Sequence, residues 1–225
     1  MIPKSLKPIL RPFRHYYFPL VYKKKDQTIA KKFYNNFLTE NDIVIEVGAR
    51  IGEITLVLSN IVKHVHAFEP NPESYRILQS FIKKRNNVTT YDFGVGDKNG
   101  LEWLNQIEDD PISLAVSFKK IQGKNYSSAK NKVKMIKIDD MDFNLKPTVL
   151  VIDCEGFELE VLKGAKETLK NITKVAVETH VLSDNTSTLD SVSSYLNDTF
   201  DISVKHDPDD NPWIVGKNKI LKNEK

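Results

Sequence analysis

The stretch IVIEVGARIG (residues 43–52) joins an apolar strand to a turn that contains two glycines. Consecutive apolar residues at its start are typical of a strand that is buried on both faces of a parallel sheet. Gly48 and Gly52 let the backbone approach a ligand closely, and the N-terminus of a following helix favours a carboxylate or phosphate. Because ligands of open α/β sheets bind at the carboxyl ends of the strands, this turn is predicted to contact a ligand.

A second strand that ends in an acidic residue supports this interpretation. The apolar segment VHAF (65–68) is followed by Glu69 and Pro70. An acid at the tip of the second strand is placed to accept hydrogen bonds from the hydroxyls of a ribose. Together the two stretches predict a pocket for a cofactor that contains adenosine.

The spacing of the glycines narrows the choice of cofactor. A nicotinamide site would have Gly-x-Gly-x-x-Gly after the first strand, and a P-loop would have Gly-Lys-Ser/Thr. The form found here is Glu46-x-Gly48-x-x-x-Gly52. This form resembles the first motif of class I S-adenosylmethionine-dependent methyltransferases.

The order of apolar and amphipathic segments predicts an α/β fold with a parallel sheet that helices cover on both faces. A polar segment at residues 101–136 interrupts the alternation, and we expect it to be an irregular insert on the acceptor side. The predicted strands are 43–47, 65–69, 88–93, 149–152, 174–179, 201–206 and 212–216, and the predicted helices lie near 52–61, 72–85, 157–170 and 188–197.

Composition and charge limit the remaining choices. Cys154 is the only cysteine of the 225 residues, which excludes an internal disulfide and a cysteine-based zinc site. No apolar run approaches the length of about 20 residues that a membrane span needs. Residues 1–25 mix prolines, aromatics and cations and are predicted to be a basic, irregular arm before a single domain at 26–225. We expect a cytoplasmic protein, peripheral to the membrane if the arm contacts anionic lipids.

Several motifs together resemble the FkbM family of methyltransferases over roughly residues 40–180. They are VIEVGARIG (44–52), HAFEPNPESYRIL (66–78), GVGDKNG (94–100), IDD (138–140), IDCEGFELEVLKGA (152–165) and VETH (177–180). The resemblance implies a Rossmann-like class I methyltransferase fold, with a mostly parallel seven-stranded sheet, helices on both faces and a C-terminal antiparallel hairpin. It also implies S-adenosylmethionine as the cofactor and sugar or polyketide hydroxyls as acceptors.

The chain departs from the common family pattern at four positions. The family commonly has Asp at Glu46, Asn at Arg50, Lys at Val151 and Ala at Gly94. The change at Glu46 keeps a carboxylate, whereas the lack of a lysine at Val151 removes a contact that a substrate or metal could use.

The resemblance implies which residues contact the cofactor. Glu69 is expected to hold the ribose, while Glu46 is expected to hold the amino group of the cofactor or to cap a helix. Asp97 is expected to contact the adenine or simply to form a turn. The full predicted set is Glu46, Gly48, Ala49, Gly52, Glu69, Pro70, Asp97 and Asp153.

Asp153, Glu155 and His180 are the candidate catalytic residues. Methyl transfer needs in-line positioning and removal of the hydroxyl proton, which a carboxylate or a histidine can accept. The same three residues could hold a divalent ion, although their spacing is not diagnostic. His180 could equally be structural. Glu158 is expected to begin a helix, and Glu178 is expected either to orient a neighbour or to face solvent.

Three functions remain in competition at this stage. The first is an O-methyltransferase that acts on a sugar hydroxyl of a glycan, a glycolipid or a related small metabolite. The second is an RNA methyltransferase, which the basic arm suggests; such an arm could also contact a phosphorylated substrate. Nucleic acid is disfavoured as a partner because the fourth strand ends in Asp-Cys-Glu-Gly, where enzymes that methylate base amines usually have [DN]-P-P-[YFW]. The third is a non-catalytic scaffold that only binds the cofactor.

Overall fold

The structure is a computed structural model and describes residues 34–108, 116–205 and 211–221, without the side chains of 127–130. The predicted basic arm and the turn between the last two strands lie outside the described residues. None of the helices described is long and apolar enough to cross a membrane.

Seven strands form the main sheet. They are β1 (Ile43–Val47), β2 (His64–Phe68), β3 (Val88–Tyr91), β8 (Val149–Ile152), β9 (Lys174–Glu178), β10 (Phe200–Lys205) and β11 (Trp213–Asn218). Their order is β10-β11-β9-β8-β1-β2-β3, and only the pairs that involve β11 are antiparallel. This arrangement confirms the predicted fold class, including the C-terminal antiparallel hairpin.

The segment 101–136 was expected to be irregular, but its described residues (101–108 and 116–136) build most of a second sheet. Its strands are β4 (Gly94–Val95), β5 (Gly100–Ile107), β6 (Val116–Ser117) and β7 (Tyr126–Ile136), in the order β4-β7-β5-β6. β5 and β7 pair antiparallel from Gly100 opposite Met135 to Ile107 opposite Tyr126. An antiparallel sheet can leave one face in water, so its strands carry many polar residues and lack the continuous apolar run of a buried strand.

Four α-helices connect the strands. They are α1 (Glu53–Leu58), α2 (Pro72–Ile82), α3 (Glu158–Lys163) and α4 (Thr188–Leu196). Asn71 caps α2, because its side chain accepts a hydrogen bond from the backbone N–H of Glu73 at 3.0 Å. α3 is shorter than predicted and ends at Gly164, where a Cβ atom would lie 1.9 Å from the carbonyl oxygen of Gly96.

The core lies on both faces of the main sheet. Val44 belongs to one buried apolar cluster, while its neighbours Ile45 and Val47 belong to the other. Side chains of a strand alternate between the two faces, so β1 is covered on both. This burial fixes the carboxyl ends of β1, β2 and β8, where the site described next is found.

Candidate active site

A cavity opens at the carboxyl ends of β1, β2 and β8. It encloses about 660 Å³, including the part that is open to solvent. Its lining residues come from both sheets: Val47, Gly48, Arg50, Phe68, Glu69, Pro70, Phe93, Gly94, Val95, Leu104, Val116, Ser117, Phe118, Asp153, Cys154 and Glu155.

The turn after β1 is shaped by a glycine that no other residue can replace without displacing backbone. Gly48 has φ of 92°, and a Cβ atom there would lie 1.7 Å from the carbonyl oxygen of Asp153. The N–H groups of Gly48 and Ala49 both donate to the carbonyl oxygen of Phe68, at 3.0 and 2.9 Å. The tips of β1, β2 and β8 therefore meet at this turn.

Ala49 and Gly52, which were predicted to contact the cofactor, do not line the cavity. Ala49 is 3% exposed and belongs to an apolar cluster. Gly52 has φ of 95°, and a Cβ atom there would lie 2.7 Å from Leu78 Cδ1 of α2. Both residues shape the turn and pack it against its surroundings.

Glu69 lines the cavity beside Pro70 and is held by two backbone donors. Its Oε2 accepts from the N–H of Arg50 at 2.8 Å, and its Oε1 accepts from the N–H of Asn71 at 2.7 Å. Burial, together with the charge of Asp153, raises the pKa of Glu69 to about 8 despite these two donors and the Arg50 charge. Each carboxylate oxygen can accept a second hydrogen bond, so the group can still bind hydroxyl groups of a ligand.

Glu46 is buried behind the turn and is absent from the cavity lining. Its Oε2 accepts a hydrogen bond from Thr55 Oγ1 of α1 at 2.7 Å. Burial and the nearby charge of Asp153 raise the pKa of Glu46 to about 8, although the Thr55 hydroxyl lowers it. The observed contact ties β1 to α1, and a cofactor contact for Glu46 stays a prediction.

Asp97 is exposed and does not line the cavity. A Cβ atom on Gly164 would lie 3.4 Å from Asp97 Cα, so Asp97 lies beside the end of α3. The cavity is instead lined by Phe93 from the same segment, whose ring packs edge-on against Phe68 with centroids 5.7 Å apart. Neither aromatic was predicted to line the site, although a signal was available, because each lies at the carboxyl end of a predicted strand, 65–69 or 88–93.

Asp153, Glu155 and His180, the three predicted catalytic residues, are brought together as expected. Asp153 and Glu155 line the cavity after β8, and His180 Nε2 lies 3.7 Å from Glu155 Oε2. Glu155 has φ of 54° and Gly156 has φ of 94°, so this loop holds an uncommon backbone conformation. Strain of this kind clusters at functional sites.

Two further acids contact His180, and neither was predicted from sequence to belong to the site. Glu158 is completely buried, and its Oε1 lies 2.9 Å from His180 Nδ1 and accepts from the N–H of Gly156 at 2.7 Å. Glu178 Oε1 lies 3.9 Å from His180 Nε2. Glu158 does begin α3 as predicted, but its side chain points into the protein, which an acid in a first helical turn rarely does. We call Asp153, Glu155, Glu158, Glu178 and His180 the His180 cluster.

The pKa values in the His180 cluster follow from burial and mutual charge. Burial raises the pKa of Asp153 and of Glu155, and the charge of Asp153 raises that of Glu155 further. Burial alone would lower the pKa of His180, but the hydrogen bond and charge of Glu158 and the charges of Asp153 and Glu155 outweigh it and raise the pKa to about 9. His180 is therefore a cation near neutral pH, which leaves the carboxylates as the better proton acceptors.

The second sheet reaches this cluster through Ser117. The Ser117 hydroxyl contacts the carbonyl oxygens of Glu155, at 2.6 Å, and of Lys119. Two other aromatic residues of the second sheet lie away from the cavity. Trp103 is 51% exposed and lies beneath the Lys132 ammonium group, and the Tyr126 hydroxyl accepts a hydrogen bond from the N–H of Ile121. Neither Trp103 nor Tyr126 lines the cavity.

Comparison with known proteins identifies the family. The sequence pattern of the methyltransferase FkbM domain matches residues 46–199. The hexuronic acid methyltransferase AglP of Haloferax volcanii is 30% identical over 147 residues, which are 63% of this chain and 57% of AglP.

Solved structures agree with the fold. Methyltransferase FkbM from Methylobacillus flagellatus KT has a TM-score of 0.57 at 21% identity, covering 79% of this chain and 44% of that one. An rRNA methylase from Streptococcus thermophilus has a TM-score of 0.54 at 12% identity, covering 87% of this chain and 97% of that one. This chain thus spans about half the length of AglP and of the Methylobacillus protein. The family match covers more than half of the chain, and the chain belongs to the FkbM methyltransferase domain family.

Proposed function

We propose that this protein is an S-adenosylmethionine-dependent O-methyltransferase whose acceptor is a sugar hydroxyl of a glycan, a glycolipid or a related small metabolite. The observation that carries the proposal is the cavity at the carboxyl ends of β1, β2 and β8, where Gly48, Glu69 and Asp153 meet. Family membership supports the reaction class, and the cavity supplies the residues that this reaction needs.

The described residues fit the cofactor. The absence of a side chain at Gly48 lets the Asp153 backbone pack against the β1 turn at the edge of the cavity, and the fixed carboxylate of Glu69 suits the two hydroxyls of a ribose. Phe68 and Phe93 offer an apolar surface for a purine. The acids Asp153 and Glu155 favour a cationic ligand, because opposite charges attract more strongly in a partly buried site than in water.

The catalytic groups have separate tasks. When bound, S-adenosylmethionine supplies a methyl group on a positively charged sulfur. Asp153 and Glu155 line the cavity and are the candidates to accept the proton of an acceptor hydroxyl; burial raises the pKa of both, which makes each a stronger base than an exposed carboxylate. Ser117, through its contact with the Glu155 carbonyl, positions the loop that carries both acids.

The acceptor class is inferred from the relative AglP, whose name specifies a hexuronic acid. Uronic acids and neutral sugars linked to a lipid or a glycan are therefore the first acceptors to test. The likeness to an rRNA methylase, at 12% identity, concerns the fold alone, and no described residue favours RNA as the acceptor.

Calorimetric titration with S-adenosylhomocysteine, with NAD as the control ligand, tests the cofactor. We expect micromolar binding of the first and none of the second. A screen with labelled methyl donor and sugar acceptors then tests the reaction. Binding without transfer to any sugar would favour another acceptor or the scaffold, and absence of S-adenosylhomocysteine binding would refute the cofactor assignment.

A further inference from the structure

Three side chains of the His180 cluster place their ligand atoms close enough together to bind one shared metal ion. Asp153, Glu178 and His180 each offer one ligand atom, and these atoms lie within 4.8 Å of one another. Nitrogen and oxygen ligands at about 2.1 Å from one tetrahedral ion lie about 3.4 Å apart. Small side-chain adjustments would therefore bring all three atoms onto one ion.

His180 is oriented as metal-binding histidines usually are. Its side chain is 3% exposed, and its Nδ1 lies 2.9 Å from Oε1 of the buried Glu158. A histidine that binds a metal through one ring nitrogen generally donates its other N–H to a carboxylate, which fixes the ring and its tautomer. The Nε2 atom lies 3.7 Å from Glu155 Oε2 and 3.9 Å from Glu178 Oε1, and a metal ion bound there would replace the proton that Nε2 otherwise carries.

The two carboxyl groups of the set lie side by side. Asp153 and Glu178 contact each other through their side chains. A divalent cation bound between two adjacent carboxyl groups would take an oxygen ligand from each of them. The neighbouring acids Glu155 and Glu158 add to the excess of negative charge around His180.

We propose that Asp153, Glu178 and His180 form a site for one divalent metal ion beside the cavity, with Glu158 as the positioning residue of His180. The set differs from the one expected from sequence, because Glu178 takes the place of Glu155. An imidazole with two carboxylates suits Mn²⁺ or Zn²⁺ better than Mg²⁺ or Ca²⁺, which favour oxygen ligands alone.

The position of the site gives the ion a task. Asp153 lines the cavity, so an ion bound to it would lie within reach of an acceptor hydroxyl and would lower the pKa of that hydroxyl. This task rests on the proposed function. Metal binding itself does not, because it needs neither the cofactor nor an acceptor.

The test is a titration of the chelator-stripped full chain with MnCl2, in which the electron paramagnetic resonance signal reports free Mn²⁺. We expect one saturable ion per chain, displaced by ZnCl2 but not by an equal concentration of MgCl2. His180→Ala and Glu178→Gln should each weaken binding at least tenfold, and Glu158→Gln by about 10–100-fold, as for other residues that orient a metal ligand. Glu160→Gln is the matched control, because Glu160 lies on the same helix but pairs with Lys119 at 2.7 Å; its affinity should not change.

A second measurement needs no substitution and so cannot be confused with misfolding. Imidazole coordination should add a ¹⁴N modulation to the spin-echo signal of bound Mn²⁺. The proposal is overturned if the wild-type chain binds neither Mn²⁺ nor Zn²⁺ saturably, if His180→Ala leaves affinity unchanged in a folded protein, or if the modulation is absent. Calorimetry with S-adenosylhomocysteine on the same samples separates the two proposals: cofactor binding without metal binding refutes only the metal site, and the reverse refutes only the cofactor.

Discussion

Replacing Gly48 by alanine should damage both stability and cofactor binding, and a second glycine provides a matched control. Gly48 and Gly123 both have positive φ, at 92° and 72°. A left-handed backbone costs a non-glycine residue roughly 1–2 kcal/mol, and this cost should apply at both positions. Of the two, Gly48 is the crowded one: its Cβ would lie 1.7 Å from the carbonyl oxygen of Asp153, whereas no atom of the described residues lies within 4 Å of a Cβ at Gly123.

The difference in the free energy of unfolding between the two variants measures the cost of the steric overlap at Gly48. Forcing extra atoms into a packed site typically costs about 1–3 kcal/mol, so Gly48→Ala should lose about 2–5 kcal/mol in total. Gly123→Ala should lose only the backbone contribution. Urea unfolding gives both free energies, and titration with S-adenosylhomocysteine should show weaker binding for Gly48→Ala alone. Equal losses of stability in the two variants, or normal ligand affinity in Gly48→Ala, would refute the steric argument.

Three acids, Glu69, Glu46 and Asp153, give four further predictions. Glu69→Gln should weaken binding of S-adenosylhomocysteine by about 1–3 kcal/mol, which calorimetry measures, because a buried donor or acceptor loses its partner. In the wild type, affinity should rise with pH and level off above about pH 8, because the raised pKa keeps the free Glu69 carboxyl partly protonated below that value while ribose hydroxyls prefer the carboxylate; a flat profile would contradict this role. The pKa of Glu46 is about 8 in the folded protein and lower in the unfolded chain, so the wild type should lose stability as pH rises from 5 toward 8. Glu46→Gln lacks this titration, so its free energy of unfolding relative to wild type, measured with urea, should increase over the same pH range. Asp153→Asn should bind S-adenosylhomocysteine within tenfold of wild type but lose methyl transfer, and retained turnover would exclude Asp153 as the base.

The central strands and the main turn could be predicted from sequence because their physical signals are local. β1, β2 and β8 are short apolar runs, and each is followed by a residue that lines the cavity: Gly48, Glu69 and Asp153. Burial on both faces leaves little freedom in what such a strand can contain.

The second sheet and the acids around His180 depend on distant contacts and could not be predicted in the same way. β5 and β7 expose one face, so their composition resembles that of a loop until their pairing is known. Glu158 has the position of an ordinary helix-starting acid, and only the fold shows that His180, which follows β9, lies 2.9 Å away.

The contact of Ser117 with the carbonyl of Glu155 has a consequence for protein engineering. The segment between β4 and β8 would be the natural piece to exchange between relatives when a new acceptor is wanted. Because one of its hydroxyl groups supports the loop that carries Asp153 and Glu155, such a graft would also move the acids. A transplanted segment would therefore need a serine, or another donor of similar reach, at this position to retain the alignment of the recipient's own site.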